Sequence, residues 1–206
     1  MPRLTMIIAS VGLCSCSILN SVMTESQWKA AFSPSRFTDF TMEGKLVASG
    51  EEIATFALLA DGSAASWDVA YAESEFSVPL RVEEGGLFAS KEALVDLRPL
   101  LSLFVDSFSD YGYYFGSYQT KLGQSAAEAA CSAVNSLGGI VEFAALPSSA
   151  ESEVLFDGAL LVSRIDLDFA GGGAVSRPSG SDASSGLKMS LSFSAYGSTS
   201  SKRQGA

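Results

Sequence analysis

FTMEGKLVASGEEIATFALLADGSAASWDVAY, residues 40–71, is the stretch that decides the fold. Phe40, Met42, Gly44, Leu46 and Ala48 fall on one side of an extended chain, with Thr41, Glu43 and Lys45 on the other. That is the two-residue period of a strand with one buried face. Gly50 turns the chain, Ile53–Ala60 makes a second strand, and Asp61-Gly62 is a hairpin dipeptide. Ala65–Ala72 returns as a third strand, with Trp67, Val69 and Tyr71 on one side. Phe76–Glu83 is a fourth, weakened by Pro79, which has no amide hydrogen for a neighbouring strand. Glu83-Glu84-Gly85-Gly86 turns again. Strands joined in order by tight turns predict one curved antiparallel sheet.

The last third of the chain reads the same way. Ile140–Ala145 is a strand ended by Pro147. Glu153–Phe156 leads into Asp157-Gly158, a second hairpin dipeptide. Leu161, Ser163, Ile165, Leu167 and Phe169 alternate with Val162, Arg164, Asp166 and Asp168. Leu187, Met189, Leu191 and Phe193 alternate with Lys188, Ser190 and Ser192. Between these runs, residues 170–186 are nearly all Gly, Ser and Ala, the composition of a flexible loop inside one domain.

Three segments carry helical spacing. Thr24 stands three residues before Gln27, the capping-box spacing, and Trp28, Ala31 and Phe32 share one face before Pro34. Ser90 is a cap ahead of Leu94, Leu97, Leu101, Phe104 and Phe108, an apolar stripe with a break expected at Pro99. Ser125–Leu137 is Ala-rich and stops at Gly138-Gly139. The expected fold is α+β, a curved, half-barrel-like antiparallel sheet packed against two or three helices. It forms a single domain over 25–198, with 199–206 a disordered tail.

The N-terminus supplies an address. Arg3, the apolar run Leu4–Leu13 and the exit Leu13-Cys14-Ser15-Cys16 have the order of a secretory signal, and the run is too short to span a bilayer. The exit resembles a bacterial lipobox with Cys16 as acyl acceptor. Residues 1–16 are then the signal and 17–24 a tether to the membrane. Ordinary signal-peptidase cleavage and a retained amphipathic N-terminus are the alternatives. Cleavage at Cys16 leaves Cys131 as the one unmodified cysteine, so no intramolecular disulfide staples the fold.

Composition narrows the chemistry. The net charge of −10 argues against nucleic acid, whose phosphates need a basic partner. With no histidine in 206 residues, Ser-His-Asp and Cys-His catalysis and His-based metal sites are excluded. Ser26 and Lys29 match a Ser-x-x-Lys pair without its companion motifs. The carboxylate pairs Asp106 with Asp110 and Asp166 with Asp168 are what an acidic chain supplies by chance. No catalytic residue, metal ligand or cofactor is assigned, and the chain is read as non-enzymatic.

Phe37-Thr38-Asp39-Phe40-Thr41 opens the first strand, Leu155-Phe156-Asp157-Gly158-Ala159-Leu160 precedes a late one, and Phe193-Ser194-Ala195-Tyr196-Gly197 closes the last. With the N-terminal Trp helix and the mid-chain helices, this arrangement over residues 25–197 resembles bacterial envelope lipoproteins of the lipoprotein-carrier and lipid-carrier families. The resemblance implies a half-barrel sheet folded around helices, with lipid or lipopeptide held between them. The long Gly/Ser loop and the absence of a proline-bearing tail are departures.

The expected function is a secreted or membrane-anchored envelope lipoprotein that binds a lipid or other apolar ligand between sheet and helices. Trp67, Leu97, Leu101, Phe104 and Phe108 are the side chains expected to line that space. The alternative is a surface-exposed structural or protein-interaction lipoprotein with a solid core. The aromatic run Tyr111–Tyr118 fits either a ligand platform or a twisted core strand.

Overall fold

The computed structural model describes residues 22–71, 74–140, 142–143, 145–170, 175–176, 182–183 and 186–198. The expected signal with Cys16, most of the expected tether and the expected tail 199–206 lie outside the described residues.

α1 (Glu25–Ala31) is fixed by the expected capping box: the Gln27 amide donates to the Thr24 hydroxyl at 3.3 Å and the Thr24 amide to Gln27 Oε1 at 2.8 Å. Met23, at the end of the expected tether, is already buried. The long alternation forms β1 (Asp39–Ala48), which pairs in turn with β2 (Glu51–Asp61), β3 (Ala64–Tyr71) and β4 (Ser74–Val82). β5 (Leu87–Ala89) and β6 (Leu94–Asp96) carry the sheet to one edge. After α2 (Arg98–Val105), β7 (Gly112–Tyr114) and β8 (Ser117–Leu122) form the other edge. α3 (Gln124–Asn135) and the two-residue β9 (Glu142–Phe143) follow, then β10 (Ser149–Phe156) and β11 (Val162–Ala170). β12 (Val175–Ser176) and β13 (Asp182–Ala183) precede β14 (Leu187–Ser194).

Among the described residues, eleven strands make one open, curved antiparallel sheet in the order β6-β5-β4-β3-β2-β1-β14-β11-β10-β8-β7. Its seam is β1 against β14, from Thr41 opposite Ser194 to Ala48 opposite Leu187, so the first and last strands of the domain hold each other. The helices α1, α2 and α3 and the large apolar side chains gather on one face, where Phe40, Met42 and Leu46 of β1 share a core with Leu58, Trp67, Ile165 and Leu191, all fully buried. The architecture is α+β, as expected. No helix among the described residues is long and apolar enough to cross a membrane.

Several local expectations change. Ser90 does cap, accepting from the Glu92 and Ala93 amides at 3.1 Å each, but the capped turn opens into β6 rather than a helix. Pro99 decides this, since it lacks the amide hydrogen and clashes with the preceding turn anywhere but a helix start. The helix accordingly begins at Arg98, and Phe108 falls in a separate 3-10 turn, Phe108–Asp110. In β11 the face switches: Arg164 pairs with Leu155 and Val162 with Phe156, so Ser163 is an extra residue in a bulge. Val162 is therefore buried, in place of Leu161 and Ser163. Pro79 sits on the stretch of β4 beyond its pairing with β5, where the outer edge needs no donor. Within 170–186, Ala170 ends β11, and β12 pairs with β13 on one side and β9 on the other in a small second sheet. The other residues of 171–185 lie outside the described residues.

Candidate functional site

The layer between sheet and helices is built around two tryptophans. Trp28 of α1 is fully buried, and its ring lies 5.0–5.8 Å from those of Phe32, Phe108, Tyr111, Tyr118 and Phe156. Its indole N–H donates to the Phe104 carbonyl at 2.6 Å. Phe104 in turn stacks on Phe32 at 4.8 Å. Trp67, on β3, lies 5.3 Å from the Phe56 ring. Gly138, in the turn after α3, passes so close that a Cβ there would come 2.6 Å from Trp67 Nε1. That indole N–H is buried and has no hydrogen-bond partner.

The expected lining residues fall into separate groups. Phe104 and Phe108 join the Trp28 cluster. Trp67 stands with Phe56 and Gly138. Leu97 and Leu101 are buried beside the Gly85-Gly86 turn, with the Leu97 amide donating to the Gly86 carbonyl at 2.8 Å. Phe108 alone of the five is only partly buried.

Sequence reasoning passed over Trp28 as the hub of the ring cluster, because its ring partners other than Phe32 lie about 80 to 130 residues away. The aromatic run divides by face. Tyr113 and Tyr118 pack together at 5.0 Å, and Tyr111 donates to the Ser152 hydroxyl at 2.8 Å. Tyr114 and Phe115 point outward. Burial pushes the Tyr111 and Tyr196 hydroxyls well above the usual phenol range.

The other face of the sheet is small and polar, with two shallow depressions of about 750 and 770 Å³ that share Lys45 and Ser190. The first runs from Lys45 past Ala57 and Asp68 to Phe76; the second runs past Lys188 and Glu151 to Tyr114. None of the five expected lining residues borders either one. Charges here are largely matched: Arg164 pairs with Asp166 at 2.7 Å, Lys188 with Asp168, and Gln119 donates to Glu153 at 3.0 Å. Hydrogen bonds from Ser117 and Gln119 hold the Glu153 carboxyl below its usual range. The Arg98 guanidinium does the same for Asp96 at the start of α2. Both shifts favour the ionised form, the reverse of what a general acid needs.

The remaining candidates are engaged elsewhere. Lys29 pairs with Glu25 at 3.0 Å and with Asp106 at 3.3 Å, away from any nucleophile role for Ser26. Cys131 is buried on α3, and burial pushes its thiol up to about 12. Among the described residues no group of three His, Cys, Asp or Glu side chains could hold a metal ion. No protein-family model matches the chain, and no curated protein does.

Proposed function

We propose that this chain is an exported, non-enzymatic envelope protein, anchored through Cys16, that holds an apolar ligand carrying one polar acceptor between a half-barrel sheet and its helices. Trp67 carries the reading. A buried N–H left without an acceptor costs about 1–3 kcal/mol. This one lies in the apolar layer where the ligand would sit. An ester or amide carbonyl of a lipid would accept it. The helices over this layer have 7, 8 and 12 residues and take no part in the strand ladder, so they can move outward with the sheet intact. Side chains fill the layer in the conformation described, so a ligand enters by displacing some of them, beginning where Gly138 lies against Trp67.

Titration with an acyl-chain fluorophore such as dansyl-undecanoate tests this. The reading predicts saturable emission at one probe per chain, displacement by unlabelled fatty acid, and weaker binding in Trp67→Phe. Emission that rises linearly without saturation would sink it. The second reading, an interaction lipoprotein with a solid core, is favoured by the ring-filled space around Trp28. It predicts no saturable probe binding and a partner that docks on the open sheet face.

A further inference from the structure

Phe115 is the most exposed large apolar side chain among the described residues, at 107% of its reference area. Tyr114 pairs with Ser117, which leaves Phe115-Gly116 as the two-residue tip of the β7–β8 hairpin, with φ of 47° and 99°. That turn favours Asn-Gly, because a bulky residue at positive φ is strained. The fold gains neither burial nor backbone ease from a phenyl ring at this position.

We infer that the Phe115 tip is a second membrane contact, in which the ring enters the interfacial zone of a bilayer and fixes the orientation of the anchored domain. The inference rests on the reading of Cys16 as a lipid anchor. The described chain begins beside this hairpin. The Met23 amide donates to the Tyr118 hydroxyl, and Tyr118 stands three residues past Phe115, about 10 Å along the strand. Val22, next to Met23, is exposed. Val22 is six positions on from Cys16, a reach of at most about 20 Å. A lipid on Cys16 thus keeps this end of the domain near the membrane surface. Tyr111–Tyr118 contains no charged residue, in a chain of net charge −10. The hairpin can approach lipid without burying a charge, and Tyr and aromatic rings favour that zone.

The test uses residues 17–206, which contain every described core residue, with phosphatidylcholine vesicles. Phe115→Trp places a reporter at the tip, against a background of two buried tryptophans. The inference predicts a blue shift of its emission on adding vesicles and quenching by brominated lipid. Phe115→Ser should lower the vesicle partition coefficient about tenfold, the loss of one ring's burial. Leu94→Ser, at the opposite sheet edge, should leave it unchanged. Unshifted, unquenched emission from Trp at 115, or equal partitioning of the Ser variant, overturns the inference and leaves the tip to a protein partner. The intact mass of the mature protein from cells tests the anchor separately: an unlipidated Cys16 refutes that reading, whatever the vesicles show.

Discussion

Trp28 donates its indole N–H to the carbonyl of Phe104 at 2.6 Å, which ties the first helix to the last turn of the second across 76 residues of sequence. The same carbonyl accepts from the Ser107 hydroxyl at 2.9 Å and the Ser107 amide at 3.1 Å. A helix C-terminus that would otherwise present unpaired oxygens to an apolar layer is thereby satisfied. Trp28→Phe keeps most of the ring contacts and deletes the donor, and should cost about 1–2 kcal/mol. Trp28→Ala opens the centre of the ring cluster and should cost about 3–5 kcal/mol. Urea unfolding midpoints of the two variants check the order.

Gly44 faces the buried side of β1 directly opposite Phe56 of β2. A Cβ there would lie 2.2 Å from the Phe56 ring and 2.9 Å from Leu191. The ring occupies the space the glycine leaves, a pairing that stiffens a strand otherwise weakened by glycine. Gly44→Ala should destabilise by about 1–3 kcal/mol, the usual cost of overpacking. In a Phe56→Leu background the same substitution should cost less than half as much. Additive losses in the double variant would show that the two side chains do not compete for space.

The layout of the sheet was legible in the sequence, and some of its detail was not. Phe40 to Ala48, Trp67 with Val69, and Leu187 to Phe193 alternate cleanly, and each run is a strand with the expected face buried. Asp61-Gly62 marks a turn, but shifted by one residue: Asp61 ends β2 and Ala64 begins β3, so Gly62-Ser63 form the tip, with Gly62 at φ 82° and Asp61 Oδ1 accepting from the Ser63 and Ala64 amides. Asp157-Gly158 misleads, because there Leu160 takes the left-handed position at φ 61°. The 94–108 stripe has a helical period, yet it is divided among a strand, a helix and a 3-10 turn. Leu94 is exposed while Val95 is buried and bridges to Leu137, a contact that no local period encodes. The candidate site was legible only as a set of apolar residues. Which of them gather round Trp28 and which round Trp67 depends on helix placement.

Asp96 is held toward its ionised form by Arg98, at 2.8 Å, and also accepts from the Arg98 amide at 3.0 Å, the first amide of α2. Its folded pKa lies below the unfolded value of about 3.9. The stability it contributes is complete above that unfolded value and is lost as pH falls through the folded one. Asp96→Asn should therefore be less stable than the parent at pH 7, with the gap narrowing below about pH 4. Urea midpoints at pH 7 and pH 3 give the comparison, and a gap that widens in acid would contradict the assignment.

Phe115→Asn replaces a strained, exposed ring with a residue that accepts positive φ. It should stabilise the domain by about 0.5–1.5 kcal/mol. Thermal unfolding checks this. A destabilised variant would show that the Phe115 ring makes contacts that hold the hairpin.

The central claim is a ligand held between sheet and helices, and its most direct test is mass spectrometry of an organic extract of residues 17–206 purified without detergent. The account predicts a lipid in near-stoichiometric amount, either as isolated or after incubation with mixed phospholipids and fatty acids. An extract that stays free of lipid after that incubation would contradict it, and would leave the domain as an interaction module with a solid core.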